Sequence, residues 1–361
     1  MNYRIWGILP LAGVVIAALS GTRPTPACCP VFRSGKPVVN ADQTVILIWD
    51  ADTKTQHFIR KAAFKSDADD FGFLVPTPSQ PELSESGNEA FPVLQKLTEP
   101  EKKKVRAPSG TLACGCGARA PDAAKSAAPR VRVLQEKLVA GFHAVVLEAD
   151  SADVLVRWLK ENGYAFSPEI EAWAKPYVEA GWKITALKVA KAADAKDSQN
   201  VAASALRITF KTDRPLFPYR EPNPEKTAAS LGARNRLLRI YFIADEKYQG
   251  KMDGVPGWTG RIAWSGKVKA EDRAKTLALL NLPPTTGPAQ WWLTEFEDDW
   301  PYRSAPADVY FSRSEDQDPV QRPPIIEYVS SPWPADGMVY ALAFAVTALP
   351  LLRRLRRGEK R

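Results

Sequence analysis

Thr44-Val45-Ile46-Leu47-Ile48-Trp49-Asp50-Ala51-Asp52-Thr53-Lys54-Thr55-Gln56-His57-Phe58-Ile59-Arg60 decides the fold. Residues 44–49 are continuously β-favouring, with no charge to mark a solvent face. Residues 50–54 are small or polar. Alternation begins at Thr55, with His57 and Ile59 pointing one way and Gln56, Phe58 and Arg60 the other, the period of two that belongs to a strand. Strand, polar turn and strand together predict an antiparallel hairpin. A third short run, residues 71–75, follows the acidic turn Asp67-Ala68-Asp69-Asp70 and stops at Pro76-Thr77-Pro78, so the first unit is strand-rich.

Further along, residues 92–97 predict a short helix. Residues 100–130 are rich in Lys, Ala, Pro and Gly without periodic apolar positions, which predicts a long exposed loop. Residues 131–147 predict two strands about Gly141, and a pair of helices follows. Asp150 or Ser151 caps the first, which carries Val154, Leu155, Trp158 and Leu159 on one side and stops at Gly163. Ser167 caps the second, with Pro168 at its first position and Ile170, Trp173, Tyr177 and Val178 at helical spacing up to Gly181. Strands are predicted at 183–188, 206–211, 237–244, 261–268, 291–297, 309–311 and 325–329, with a helix at 271–280. No repeat of 20 to 50 residues points to a solenoid or propeller. The pattern predicts an α+β body, a mostly antiparallel sheet system with a helical hairpin inserted.

The ends carry a different signal. Arg4, an apolar run over 5–19 and a small, Pro-rich stretch to Ala27 have the order of a secretory leader, so residues 1–27 are expected to be removed. Residues 337–352 are apolar but for Thr347, and Arg353, Arg354, Arg356 and Arg357 follow at once. They predict a single C-terminal transmembrane helix of about 24 Å, short of a core of roughly 30 Å, with the basic tail 353–361 left on the cytoplasmic side. Residues 28–330 then form an extracytoplasmic ectodomain, periplasmic or at the cell surface, with a sub-boundary available in the loop 100–130. The tail carries net +5 and Arg4 and Arg23 two more, leaving about +1 of the formal +8 for the body, so a nucleic-acid partner has no electrostatic support.

Four cysteines form two clusters, Cys28 with Cys29 and Cys114 with Cys116. In an oxidising compartment the natural expectation is disulfide pairing between them, closing a loop of about 85 residues and contributing about 4 kcal/mol if unstrained. Thiol redox chemistry, a soft-metal site or lipidation at Cys28 are the alternatives. The strand ending in Asp50, with Asp52 two residues on, has the shape of a haloacid-dehalogenase phosphotransferase opening. Lys54 stands where that motif wants Thr or Val, however, and a hairpin follows rather than a crossover, so an Asp-rich turn is the better expectation. Such chemistry would recruit Glu297, Asp298 and Asp299 as metal ligands, but the acidic pair before Trp300 reads as a loop. His57 and His143 are weak metal candidates along with Asp50 and Asp52, and no hydrolase or phosphate-binding signature is present. Trp258, Trp264, Trp291, Trp292, Trp300 and Trp333 crowd the second half. Trp291 and Trp292 are adjacent, so on a strand one of them is expected to face outward as a binding ring, with Trp258 and Trp264 as further candidates.

The Cys28-Cys29 start, Asp69-Asp70-Phe71-Gly72-Phe73-Leu74-Val75-Pro76-Thr77-Pro78, Trp158-Leu159-Lys160-Glu161-Asn162-Gly163-Tyr164, and Thr209-Phe210-Lys211 running into Pro215-Leu216-Phe217-Pro218-Tyr219 resemble the bacterial domain-of-unknown-function 2330 family. The resemblance covers most of residues 28–330. It implies an exported, often membrane-tethered protein and assigns neither activity nor catalytic residues. The expectation is a noncatalytic envelope protein, held at the membrane by its C-terminal helix, whose ectodomain binds an envelope protein or a polysaccharide and needs no cofactor. An exported metal-dependent hydrolase or a thiol-based redox protein is the alternative.

Overall fold

The computed structural model describes residues 29–31, 43–61, 72–106, 131–164, 169–189, 204–221, 237–255, 257–299 and 305–329. The leader, Cys28, Cys114, Cys116, Ser167, Pro168, Trp300, Trp333 and the segments 337–352 and 353–361 lie outside the described residues. Of Cys29 only the backbone is described, so the disulfide expectation lies outside them too.

The chain begins with strands β1 (Cys29–Val31), β2 (Gln43–Asp50), β3 (Thr55–Arg60), β4 (Gly72–Thr77) and β5 (Glu82–Ser86), then helix α1 (Ala90–Leu97). Strands β6 (Lys102–Arg106), β7 (Val131–Val139) and β8 (Phe142–Ala149) lead to helices α2 (Ala152–Glu161) and α3 (Glu169–Glu179). Next come β9 (Lys183–Val189), β10 (Ala205–Lys211), β11 (Leu216–Phe217), β12 (Leu238–Ala244), β13 (Tyr248–Met252) and β14 (Arg261–Lys267). Helix α4 (Ala270–Leu279) and strands β15 (Trp292–Asp298), β16 (Val309–Arg313) and β17 (Ile325–Val329) complete the series.

The hairpin forms as predicted, with Val45 opposite Arg60 and Asp50 opposite Thr55. Asp50 Oδ1 accepts the amides of Asp52 and Thr53, and Lys54 closes the turn at φ 51°. The unbroken apolar run has a physical cause: β2 is buried on both faces. Val45, Leu47 and Trp49 enter one core, while Ile46 and Ile48 enter another on the opposite side. Each such side chain contributes roughly 1.5–3 kcal/mol by leaving water.

A seven-stranded sheet runs β14-β15-β12-β2-β3-β10-β5, and a five-stranded sheet runs β1-β4-β9-β8-β7. Every pairing in them is antiparallel except β12 beside β2. The inner faces of both sheets, with Phe58, Phe73, Phe142 and Phe242 among them, meet in one core. A small sheet, β11-β16-β13, adds Leu216, Phe217, Val309 and Phe311 to it. Helices α2 and α3 cover the outer face of the five-stranded sheet through Leu155, Leu159, Ile170 and Trp173. Both end as the sequence predicts, at glycines of positive φ, Gly163 and Gly181. Helices α1 and α4 cover the outer face of the seven-stranded sheet through Phe91, Leu94 and Leu277. The layers are therefore helix, sheet, sheet, helix.

This corrects the expected α+β class with a C-terminal membrane helix. The body is mostly β-sheet with four helices among the described residues, and none of these is long and apolar enough to cross a membrane. The physical reason is that two stacked sheets supply the main core and the helices only roof their outer faces, so the helical hairpin is a cover and not an insertion. The segment 337–352, on which the membrane expectation rested, lies outside the described residues. The expected loop 100–130 also gives up five residues to β6, which pairs in parallel with β17. At the rim of the five-stranded sheet, β7 pairs with β8 and carries a bulge between Val133 and Gln135; Leu138 there is 64% exposed.

Candidate functional site

Several residues singled out in the sequence are spent on structure. Asp50 and Asp52 shape the β2–β3 turn. His57 lies on β3 and His143 on β8, in different sheets. Among the described residues, no group of three or more His, Cys, Asp or Glu side chains is placed to hold a metal ion. Trp291 and Trp292 are both buried, at 0% and 6% exposure, so the expected outward ring is not found there. The reason is that both sides of β15 are covered: Trp291 packs with Ile48 and Leu277, and Trp292 Nε1 donates to Ser265 Oγ. Trp258 is half-buried against Tyr219, Phe296 and Phe311. Of the four, Trp264 stands at a rim.

Strand register builds the surroundings of Trp264. Along β12, Arg239, Tyr241 and Ile243 share a face; along β15, Glu297, Glu295 and Leu293 lie beside them. Along β14, past a bulge at Ile262/Trp264, Arg261, Trp264 and Gly266 complete three rows. The row Ile243–Leu293–Gly266 is apolar. The next is Tyr241–Glu295–Trp264, and the last, Arg239–Glu297–Arg261, is fully charged. The outer face of the seven-stranded sheet thus grades from an apolar centre under the helices to a polar corner. The Trp264 ring lies along its strand over Gly266, where an added Cβ would meet it at 3.0 Å.

Arg322, from the segment before β17, closes the corner. Its Nε donates to Thr98 O at 2.9 Å, and its Nη2 is 2.8 Å from both Glu295 Oε1 and Glu297 Oε1. Glu297 also receives Arg239 Nη2 on Oε1 at 3.0 Å and Arg261 Nη2 on Oε2 at 2.9 Å. Arg239 Nε lies 2.6 Å from Glu295 Oε1 but out of line for a hydrogen bond, and Glu295 Oε2 is buried without a hydrogen-bond partner. Trp264 Nε1 donates to Gln321 Oε1 at 3.0 Å. The three guanidinium groups outnumber the two carboxylates, and the surplus sits outward: Arg261 is 57% exposed, against 22% for Arg239 and 20% for Arg322.

The electrostatics follow from this crowding. Burial alone would raise the Glu297 pKa, but the hydrogen bonds from Arg322 and Arg239 outweigh it and hold the carboxyl below its ordinary value. Burial would likewise depress Arg322, and its bonds to Glu297 and Glu295 overcome that and raise it. Burial first, and the Glu295 charge second, push the Tyr241 phenol up. Two carboxylates two residues apart on a strand invite comparison with an acid–base pair. Such a pair needs one carboxyl kept protonated near neutral pH, and Glu297 is held the opposite way. The corner presents a cationic rim, a polar interior and an indole edge.

The sequence did not single out Arg239, Tyr241, Arg261, Glu295 or Arg322, and it raised Glu297 only as a metal ligand for phosphotransferase chemistry. A signal was present in the period of two, since Glu295 with Glu297 and Arg239 with Tyr241 alternate inside predicted strands. Glu297 lies in β15 as the predicted strand 291–297 has it, and the expected acidic loop is corrected at Asp298, which ends β15 and accepts the Tyr219 hydroxyl and Thr259 Oγ1. A second brace lies nearby, where Tyr177 Oη on α3 donates to Asp308 Oδ1 at 2.8 Å and ties the helical cover to the sheets.

A family model described as "Uncharacterized protein conserved in bacteria (DUF2330)" matches residues 24–312. No curated protein matches the sequence. Among solved structures, the crystal structure of baculovirus P35 is similar over 82% of this chain and 100% of that one, at 9% identity and a TM-score of 0.31, a likeness at which neither fold nor activity transfers.

Proposed function

The chain belongs to the DUF2330 family of uncharacterized proteins conserved in bacteria, and on that premise we propose that its body is a noncatalytic binding module acting outside the cytoplasm, with a polysaccharide as ligand. The observation that carries this is the corner at Trp264. The hydrogen bonds from Arg322 and Arg239 hold its Glu297 carboxyl below the ordinary value, away from a proton donor's role, while a half-buried indole and a mostly exposed guanidinium stand beside it. Aromatic rings stack on the apolar faces of sugars, and guanidinium groups bond to their oxygens. The leader-like residues 1–27 support the extracytoplasmic part of the proposal. Pairing of Cys28 and Cys29 with Cys114 and Cys116 belongs to the same proposal, since an exported body meets an oxidising compartment.

The purified chain should sediment with an envelope polysaccharide fraction, and Trp264→Ala should reduce the bound fraction at least tenfold while far-ultraviolet circular dichroism is unchanged. Equal sedimentation of the variant would reject this corner as the binding face. Recovery of the intact chain, leader attached, from the cytosol would reject the location.

A further inference from the structure

We infer that the corner selects acidic polysaccharides, with Arg261 receiving a sugar carboxylate while Trp264 stacks on a neighbouring ring. This rests on the binding reading above and adds the ligand class.

Glu297 has more cationic partners than its charge requires. Its Oε1 is shared by Arg239 and Arg322 and its Oε2 is held by Arg261 alone. Arg239 and Arg322 are mostly buried and are tied to Glu295 as well, so they are committed to the interior. Arg261 has Glu297 as its one ion-pair partner among the described residues and keeps more than half its side chain in solvent. Withdrawing Arg261 from Glu297 leaves that carboxylate with two guanidinium partners, so the interior stays compensated. The corner therefore offers one guanidinium whose recruitment by an outside anion leaves each buried carboxylate a cationic partner, at the cost of the single bond to Glu297 Oε2.

The planar fork of Arg261 matches a planar carboxylate in a bidentate arrangement. Register places Arg261 at the opposite end of the same three-residue face from Gly266, with Trp264 between them. A chain of sugar rings lying along β14 meets guanidinium first and indole next. Neutral sugars would satisfy the indole but leave the surplus positive charge uncompensated.

Isothermal titration of the full chain with oligogalacturonides and with neutral cello-oligosaccharides tests this. Binding of the acidic series at least tenfold tighter, weakening with added salt, and a tenfold or greater loss in Arg261→Ala and Arg261→Lys with unchanged melting, is the expected result. Trp264→Phe, which keeps a ring, should retain most of the affinity. Equal affinity for both series, or an unaffected Arg261→Ala, overturns the acidic class and leaves the binding reading standing. Failure to bind either series with retained binding to the envelope polysaccharide fraction overturns the acidic class in the same way. Failure to bind that fraction as well sinks the binding reading itself.

Discussion

At the scale of single residues, His57 shows how neighbours set charge. Its Nδ1 is 2.9 Å from Thr209 Oγ1, and Arg207 and Lys211 lie on the same face of β10. Burial, and after it the Arg207 charge, push its pKa from 6.5 down to about 4, with Asp50 opposing and Lys211 adding. A folded-state value below the unfolded one means that the unfolded chain binds the extra proton. The stability that the neutral ring provides is complete above about pH 6.5, declines as pH falls toward 4 and is flat below. The loss is on the order of 2–3 kcal/mol. Urea midpoints of the wild type at pH 7.5 and 4.5 should differ by more than those of His57→Gln; equal differences would show that His57 is not the titrating group.

At the scale of elements, β7 is the vulnerable strand. Leu138, and Val133 at 45% exposure, share the face that carries His143 and Leu147 on β8. A rim strand with exposed apolar side chains templates association, which the bulge at Val133/Gln135 opposes by breaking its regular spacing. Leu138→Lys should lower concentration-dependent association in light scattering and change stability by less than about 0.5 kcal/mol; undiminished association would locate the sticky surface elsewhere.

Legibility at this scale followed burial. The β2–β3 hairpin and the helical pair were readable because their apolar positions repeat with a period that local sequence alone fixes. Among the elements that escaped, β5 with its Glu-Leu-Ser-Glu-Ser, β6 with its lysines and β13 with its Gly250 owe their strand character to pairing with distant partners. The polar corner was hidden for the same reason, since Arg239, Arg261, Glu295 and Arg322 converge from separate segments. Trp292 misled because an alternating strand suggests one wet face, and here both are covered.

At the scale of the whole molecule, the two large sheets share a single core, so neither can lose its inner face without exposing the other's. Tryptophan fluorescence, dominated by rings in several layers, and far-ultraviolet dichroism should therefore report coincident urea transitions. Separated midpoints would mean that the layers unfold independently. The parallel seam between β2 and β12 joins Gln43 to Leu238, 195 residues further on. At roughly 5–20 residues per second, β2 leaves the ribosome some 10–40 s before its neighbour exists. For that interval the greasiest ribbon of the polypeptide has one prospective companion in β3 and a vacant flank, so a nascent chain of this design depends on a holdase or on a conduit that keeps it extended until synthesis catches up.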